Sequence, residues 1–427
     1  MSRFARLAAV GGVDQVVDHE TACGLLAEVL DRLAPERVLV LPPDFTRYHS
    51  GAGELTVFVQ RHLRRAQVDV MPALGTHSPM SRAQLETMFP GLDPDAVLVH
   101  DWRHELATLG VVPGEFVREV SGGRVDYPIE IAVNRRVAHG GYDLVLSLGQ
   151  VVPHEVIGMA NQNKNLFVGV GGQDIINKSH FLGAVCGMER VMGRADSPVR
   201  RVFNHAAEQF CTPLPICYAL TVRQRAADGA LVTRGLFVGD DQDTFRDAVR
   251  LSQQTNLDLL EQPLRKVVVW LDPDEFKSTW LGNKAIYRTR MALADDGELI
   301  ILAPGLREFG EDPEIDRLVR RYGYRGTPAT LAAVEREGEL RANLSAAAHL
   351  IHGSSEGRFR ITYCPGVLSR DEVESVGFAS ADLAAMTARY DPARLRDGWN
   401  TLADGEEVFF ISNPALGLWA LGSAFGG

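Results

Sequence analysis

Short unbroken apolar runs alternate with longer stretches of helical spacing along most of the chain. RVLVLPP (37–43) is rich in β-branched residues and stops at two prolines, and AGELTVFVQRHLRRA (52–66) follows with apolar residues on a helical period. QVDVMPALGT (67–76) reads as the next strand and its loop. SRAQLETMFP (81–90) opens with Ser and carries Gln three positions on, a capping box ahead of a short helix. DAVLVHDW (95–102) and YDLVLSLG (142–149) predict further strands. Strands that alternate with helices imply an α/β fold with a mostly parallel sheet, in which ligands gather at the carboxyl ends of the strands.

The alternation restarts near residue 264. RKVVVWLD (265–272) predicts a strand, LGNKAIYRTRMALADDG (281–297) a helix with Gly297 placed for a C-cap, and ELIILAP (298–304) another strand. The stretch 405–420 predicts a closing strand that could join either domain. The expected organisation is therefore two α/β domains with mostly parallel sheets. Residues 1–263 would bind the cofactor and carry the catalysis, and residues 264–427 would close over the substrate. The cofactor site is expected at strand-end loops between the domains.

One segment breaks the pattern. PHEVIGMANQNKNLFVGVGGQDIINKSH (153–180) lies between two apolar stretches and is crowded with Gly, Asn, Gln, Lys and His. Three more polar clusters follow predicted strands: Asp44, Thr46 and Arg47 in PPDFTRYHS, Thr76 and His77 in ALGTHSP, and His154 in VVPHE. Each has a plain structural reading. Asp44 and Thr46 can cap a helix, His77 can sit in a turn, and Lys164 can be a solvated loop residue. GVGGQD (169–174) is similar to a phosphate-cradling nest, but it lacks the dinucleotide fingerprint and the phosphate-loop lysine. Taken together, the clusters place two histidines and an arginine on neighbouring loops. Two histidines can flank one substrate as general acid and general base, and an arginine can pair with a carboxylate. With no evident nucleophilic Ser or Cys, proton or hydride chemistry fits better than acyl transfer.

Composition narrows the partners. The 427 residues carry a net charge of −11, which disfavours non-specific nucleic-acid binding. No apolar run reaches the length of about 18 residues that a membrane helix needs, and the N-terminus has no signal-like apolar region. The five cysteines (Cys23, Cys186, Cys211, Cys217, Cys364) form no CxxC pair, so reduced thiols are expected rather than disulfides or a zinc site. These features predict a cytoplasmic protein with neither a nucleic-acid nor a membrane partner.

DFTR, GTH, PH followed ten positions later by Lys, and His sixteen beyond that together resemble the lactate racemase family, over residues 44–180. The resemblance implies a nickel-pincer nucleotide, a pyridinium-3-thioamide-5-thiocarboxylic acid mononucleotide that holds nickel and is tethered through a lysine. It makes Lys164 the tether, His180 the nickel ligand, His77 and His154 the paired acid/base residues and Arg47 a substrate contact. Asp44 would hold the cofactor or orient Arg47, with Thr46 beside it. Gly169, Gly171 and Gly172 would admit a phosphate, and the surrounding amides would meet its polar edges. The implied reaction is racemisation or epimerisation of a 2-hydroxy acid by proton-coupled hydride transfer. Cofactor-biosynthesis proteins would be the loading partners.

Two departures stand out. GMANQN replaces the family's GFSGG before the lysine. In IYRTRMA, Tyr287 matches the family pattern, but Arg288 stands at the Gln position and Met291, beside Arg290, at the Lys position. Tyr287 and Arg288 are the second-domain candidates for binding substrate, and an arginine fork there would favour a larger or more polar hydroxy acid than lactate. Two other readings remain open. An NAD-type α/β oxidoreductase would need a better glycine fingerprint than AVGGVDQ (9–15). A non-catalytic nucleotide or nickel cofactor-binding protein would need Lys164 and His180 but not the two other histidines.

Overall fold

The computed structural model describes residues 3–226, 229–415 and 417–425. Two compact units emerge, one made of Met1–Leu182 with Val191–Asn256, the other of Gly183–Arg190 with Leu257–Gly427. The long segment of the second unit starts at Leu257, where Asp258–Leu260 pair in parallel with Trp419–Leu421 of the same unit.

The first unit contains β1 (Ala8–Gly11), β2 (Arg37–Leu41), β3 (Gln67–Val70), β4 (Leu106–Val112), β5 (Ile129–Asn134), β6 (Leu144–Gln150), β7 (Pro153–His154), β8 (Gly158–Met159), β9 (Ile216–Arg225) and β10 (Leu231–Gly239). Its main sheet has the order β1-β10-β9-β6-β2-β3. The four strands from β9 to β3 are parallel, and β10 and β1 extend the sheet antiparallel. RVLVL and LVLSLG are continuously apolar because both faces of these central strands are covered. On one face the helices His19–Leu33 and Ala52–His62 bury Leu26, Val29, Leu30, Leu55 and Val59 with Val38, Val40, Leu144 and Leu146.

The chain leaves β2 towards β3 on one side and returns as β6 on the other. The ends of β2 and β6 therefore flank a topological switch point, where an open parallel sheet leaves a crevice for a ligand. The Asp44 loop follows β2, the His77 loop follows β3 and the His154 loop follows β6.

The second unit carries β11 (Asp258–Leu260), β12 (Leu264–Trp270), β13 (Leu293–Ala303), β14 (Arg360–Pro365), β15 (Ala379–Ser380), β16 (Gly398–Thr401), β17 (Glu407–Ile411) and β18 (Trp419–Leu421). Its main sheet runs β15-β14-β13-β12-β17-β16, parallel except for β16. The closing strand expected within 405–420 is β17, which joins this sheet beside β12; Leu416 of that stretch lies outside the described residues.

The α/β class with mostly parallel sheets is realised, and three local expectations are corrected. DAVLVHDW forms a 3-10 turn at Pro94–Ala96 and a single bridge from Val97 to Val70, not a strand. LGNKAIYRTRMALADDG is not one helix. It gives two four-residue helices, Thr279–Gly282 and Lys284–Tyr287, and then enters β13 at Leu293. Gly297 is consequently a strand residue, not a helix cap. The capping box at Ser81 and Gln84 forms as expected and starts the helix Arg82–Met88.

Candidate active site

Asp44 lies three residues beyond β2 and is 5% exposed. One oxygen accepts the Thr46 N–H at 3.2 Å and the Thr46 hydroxyl, and the other accepts Nδ1–H of His77 at 2.6 Å. Burial alone would raise this carboxyl. The His77 hydrogen bond and charge, the Thr46 hydroxyl and the Lys164 ammonium outweigh burial and hold the group below the usual carboxylate range. The His77 side chain is half exposed. Because Asp44 occupies Nδ1–H, the neutral ring presents Nε2 as an acceptor. Asp44 thus orients His77, where the sequence assigned it to the cofactor or to Arg47. Arg47 is half-buried at a kink in the segment Phe45–Ser50.

His154, at the end of β7, is buried and carries the opposite tautomer. Its Nδ1 accepts the Val156 N–H at 3.2 Å, which puts the ring proton on Nε2. Burial, with the nearby charges of Lys164, Arg47 and His180, holds this imidazole well below its ordinary value against the pull of Glu155. Glu155 Oε2 stands 3.7 Å from His154 Nδ1. Sequence reading passed over Glu155, whose position directly after a candidate histidine was the available signal.

Lys164 precedes a π-helical turn, Asn165–Gly169, a rare geometry that recurs at functional sites. Burial first, then the charge of Arg47 and to a lesser degree Arg200, push its amine down to about 8, although Asp44 and Glu155 pull the other way. His180 projects from the helix Gln173–Val185 and donates Nδ1–H to the Ile176 carbonyl at 2.6 Å. That bond leaves the Nε2 lone pair available, the usual arrangement of a metal-ligating histidine. Asp44, His77, Arg47, His154, Glu155, Lys164 and His180 are linked by electrostatic interactions, so the structure gathers them into one site of mixed charge.

The amide-rich loop answers to the protein's own interior. Asn165 donates to the Leu41 carbonyl at 3.1 Å and to Ser147 Oγ at 2.8 Å, tying the ends of β2 and β6 together. Asn163 donates to Asn204 Oδ1 at 2.9 Å and accepts from the Tyr218 hydroxyl at 2.7 Å. Asn161, Gln162, Asn163 and Asn165 are all buried. The expectation that they meet the edges of a phosphate is replaced by this scaffolding role.

The three glycines are likewise close-packing positions instead of an open cradle. A Cβ on Gly171 would collide with the Phe167 carbonyl, and one on Gly169 would lie 2.6 Å from Ala73 Cβ. Gly172 donates its N–H to Ala132 of β5 at 3.0 Å, so that donor is already used. His100, which the sequence did not single out, holds the same loop by donating Nε2–H to the Gly171 carbonyl at 3.1 Å.

Tyr287 and Arg288 belong to the second unit. Both are buried, and Arg288 donates to the Gly417 carbonyl at 2.9 Å. Arg290 is buried too, with Nε on Glu189 at 2.8 Å and Nη1 on the Ser354 carbonyl at 3.2 Å. The single helix expected to carry an arginine fork is therefore corrected to the short helix Lys284–Tyr287, and both guanidinium groups have hydrogen-bond partners inside their unit.

Residues 8–192 match the family model described as Lactate racemase N-terminal domain. That stretch is similar to the N-terminal domain of lactate racemases. Every site candidate from Asp44 to His180 falls within the matched residues. A crystal structure of a protein from Thermotoga maritima is similar, at 21% identity and a TM-score of 0.80, over 96% of this chain and 100% of that one. The lactate racemase apoprotein from Thermoanaerobacterium thermosaccharolyticum is similar at 14% identity and a TM-score of 0.69, over 91% of this chain and 88% of that one. These two are likenesses of fold. No curated protein sequence matched the chain. Among the described residues no helix is long and apolar enough to cross a membrane, and the five cysteines are buried and unpaired with one another.

The buried imidazoles of the first unit give a pH test. Burial holds His100, His154 and His180 below the ordinary value near 6.5. Between that value and the lowered ones the unfolded chain binds more protons than the native one. Their stabilisation is fully present above about pH 6.5 and is lost as the pH falls through the lowered values, at a limit of about 1.4 kcal/mol per pH unit for each. The thermal midpoint is expected to drop between about pH 7 and 5.5, and less steeply in His100→Gln. A midpoint flat over that range would contradict the buried neutral state.

Proposed function

We propose that the protein racemises or epimerises a 2-hydroxy acid with a nickel-pincer nucleotide tethered to Lys164. The observation that carries this reading is the pair of imidazoles with opposite tautomers in one site of mixed charge, His77 held by Asp44 at 2.6 Å and His154 held by Val156 N–H at 3.2 Å. The chain's own donors fit the cofactor. Lys164 supplies an amine with its value brought down to about 8, and His180 supplies one imidazole whose other nitrogen is bonded to a carbonyl. Among the described residues no group of three or more His, Cys, Asp or Glu could hold a metal, so a metal here would take most of its ligands from elsewhere.

When bound, the pyridinium ring supplies a hydride acceptor and donor. The residues supply binding and proton transfer. Arg47 offers the substrate carboxylate a guanidinium partner. His77 takes the hydroxyl proton at Nε2, and Asp44 stabilises the imidazolium that results. His154 holds a proton on Nε2 and meets the substrate oxygen as a donor. To release that proton as an acid it must first gain another at Nδ1, where Glu155 lies 3.7 Å away. The low-dielectric walls of this buried site strengthen each of these interactions.

The test is the intact mass and nickel content of protein produced together with the cofactor-making enzymes. A mass increase of one mononucleotide is expected on the peptide that carries Lys164. His180→Ala should keep the fold and the adduct but lose nickel. An adduct on another lysine, such as Lys178, or nickel retained in the His180 variant, would overturn the assignment. Racemase activity in nickel-free protein made without the pathway would overturn the function.

A further inference from the structure

Arg200 is 1% exposed, on the helix Pro198–Phe210, and the proposed mechanism does not use it. Its guanidinium donates to the Met159 carbonyl at 2.5 Å, to the Asn161 carbonyl at 3.4 Å and to Gln162 Oε1 at 3.2 Å. Its plane lies 4.3 Å from the centroid of the Phe245 ring, and its Nε has no hydrogen-bond partner. Among the described residues no carboxylate neutralises it. A buried guanidinium without a counter-ion is costly, so its persistence calls for a local reason.

The segment it grips is strained. Asn161 and Gln162 have φ of 68° and 54°, in the left-handed region, three and two residues before Lys164. Asn204 holds the same segment from the same helix through Asn163, and Ser197 at the helix start donates to the Ile157 carbonyl at 2.9 Å.

We infer that Arg200 is a positioning residue for Lys164: it fixes the backbone that presents the lysine, and its buried positive charge favours the nucleophilic amine over the ammonium. The electrostatics agree in direction. Arg200 is one of the charges that bring the Lys164 amine down, and Arg200 is itself pushed down to about 9 by burial. The inference rests on the reading of Lys164 as the point of covalent attachment. In that attachment the amine nitrogen bonds to a thioacid carbon and the C–O bond breaks. One amine proton and the thioacid proton leave with the oxygen as water, and nothing is oxidised or reduced.

The test uses the full chain, wild type, Arg200→Gln and Arg200→Lys, with trace acetylation by acetic anhydride followed across pH by peptide mass spectrometry. In the wild type Lys164 should react near pH 7.5 far ahead of an ordinary lysine of pKa about 10.4 once accessibility is normalised at high pH. Arg200→Gln should slow it by about twofold or more near pH 7.5, because losing this charge raises the amine's pKa. Arg200→Lys keeps an amine donor for the backbone, but burial that brings an arginine down to about 9 leaves a lysine there largely neutral, so it should slow Lys164 near pH 7.5 as Arg200→Gln does and carries the charge test if the Gln variant misfolds. Wild-type acetylation of Lys164 in a folded Arg200→Gln or in a folded Arg200→Lys overturns the inference. Adduct occupancy after co-production separates the two readings. Equal adduct in wild type and Arg200→Gln defeats the role of Arg200 and leaves the attachment site standing. A fast Lys164 that slows in Arg200→Gln but never gains the nucleotide supports the role of Arg200 and defeats the proposed cofactor.

Discussion

Asp44→Asn is expected to lower racemisation about 10,000-fold without unfolding the protein, a loss of the size seen when the carboxylate behind a catalytic histidine becomes an amide. The hydrogen bonds around residue 44 determine the outcome. One Asp44 oxygen receives the Thr46 backbone N–H, which can only donate, so the amide oxygen of an asparagine must stay on that side. Its NH2 group then faces His77 Nδ1, where a carboxylate oxygen stood 2.6 Å away. The amide donates to Nδ1 and drives the ring proton to Nε2, so the base is lost without moving the ring. The imidazolium also loses its counter-ion. The defect should appear in kcat more than in KM, and the His77 tautomer should reverse in nitrogen NMR spectra of the folded variant. Activity within tenfold of wild type would show that His77 is not the base that Asp44 sets.

The parts of this site that were legible in the sequence are those fixed by local rules. Unbroken apolar runs located β2 and β6, and the loops behind them had to lie at strand ends, so Asp44, His77 and His154 could be gathered before any coordinates. Ser81 and Gln84 announced a cap because a capping box is a contact within four residues. Long-range pairing was less legible. VLV within DAVLVHDW has strand-like residues but only a single bridge partner, and the helical spacing of 281–297 is broken where β13 must begin beside β12. The polar loop misled for a related reason. Asn161, Gln162, Asn163 and Asn165 look like ligand-binding amides when the sequence is read alone, but their partners, among them Leu41, Ser147, Asn204 and Tyr218, are distant in sequence. Arg200 and Arg201 are neighbours of one type with opposite fates. Helical spacing puts Arg201 opposite the stripe of Val199, Phe203 and Ala206, where it pairs with Asp196, and leaves Arg200 at the stripe's border. A cation beside an apolar stripe was the signal, but only the fold shows that Phe245 and the carbonyls of 159 and 161 wait there.

His77→Ala and His154→Ala should each cut complete racemisation at least about 100-fold, the scale of a lost general acid or base, but they should fail at different steps. The resting tautomers make His77 an acceptor at Nε2 and His154 a donor. The enantiomer whose hydroxyl meets His77 can therefore be oxidised to the keto acid in the first turnover, whereas the other must wait for His154 to give up its proton. A racemisation has an equilibrium constant of one, so kcat/KM has to be equal in the two directions and steady-state rates conceal this difference. Single turnovers of each pure enantiomer, quenched and assayed for keto acid, expose it. Wild type should give a fast burst with one enantiomer, His154→Ala should keep that burst without inversion, and His77→Ala should lose it. Completion through His154 needs its imidazolium, and burial holds that group well below the ordinary imidazole value. Protonation therefore declines as pH rises, and the completion step should slow with it while the His77 burst does not. Equal bursts from both enantiomers, or a completion step that speeds up with rising pH, would show that the two imidazoles do not divide the work by tautomer.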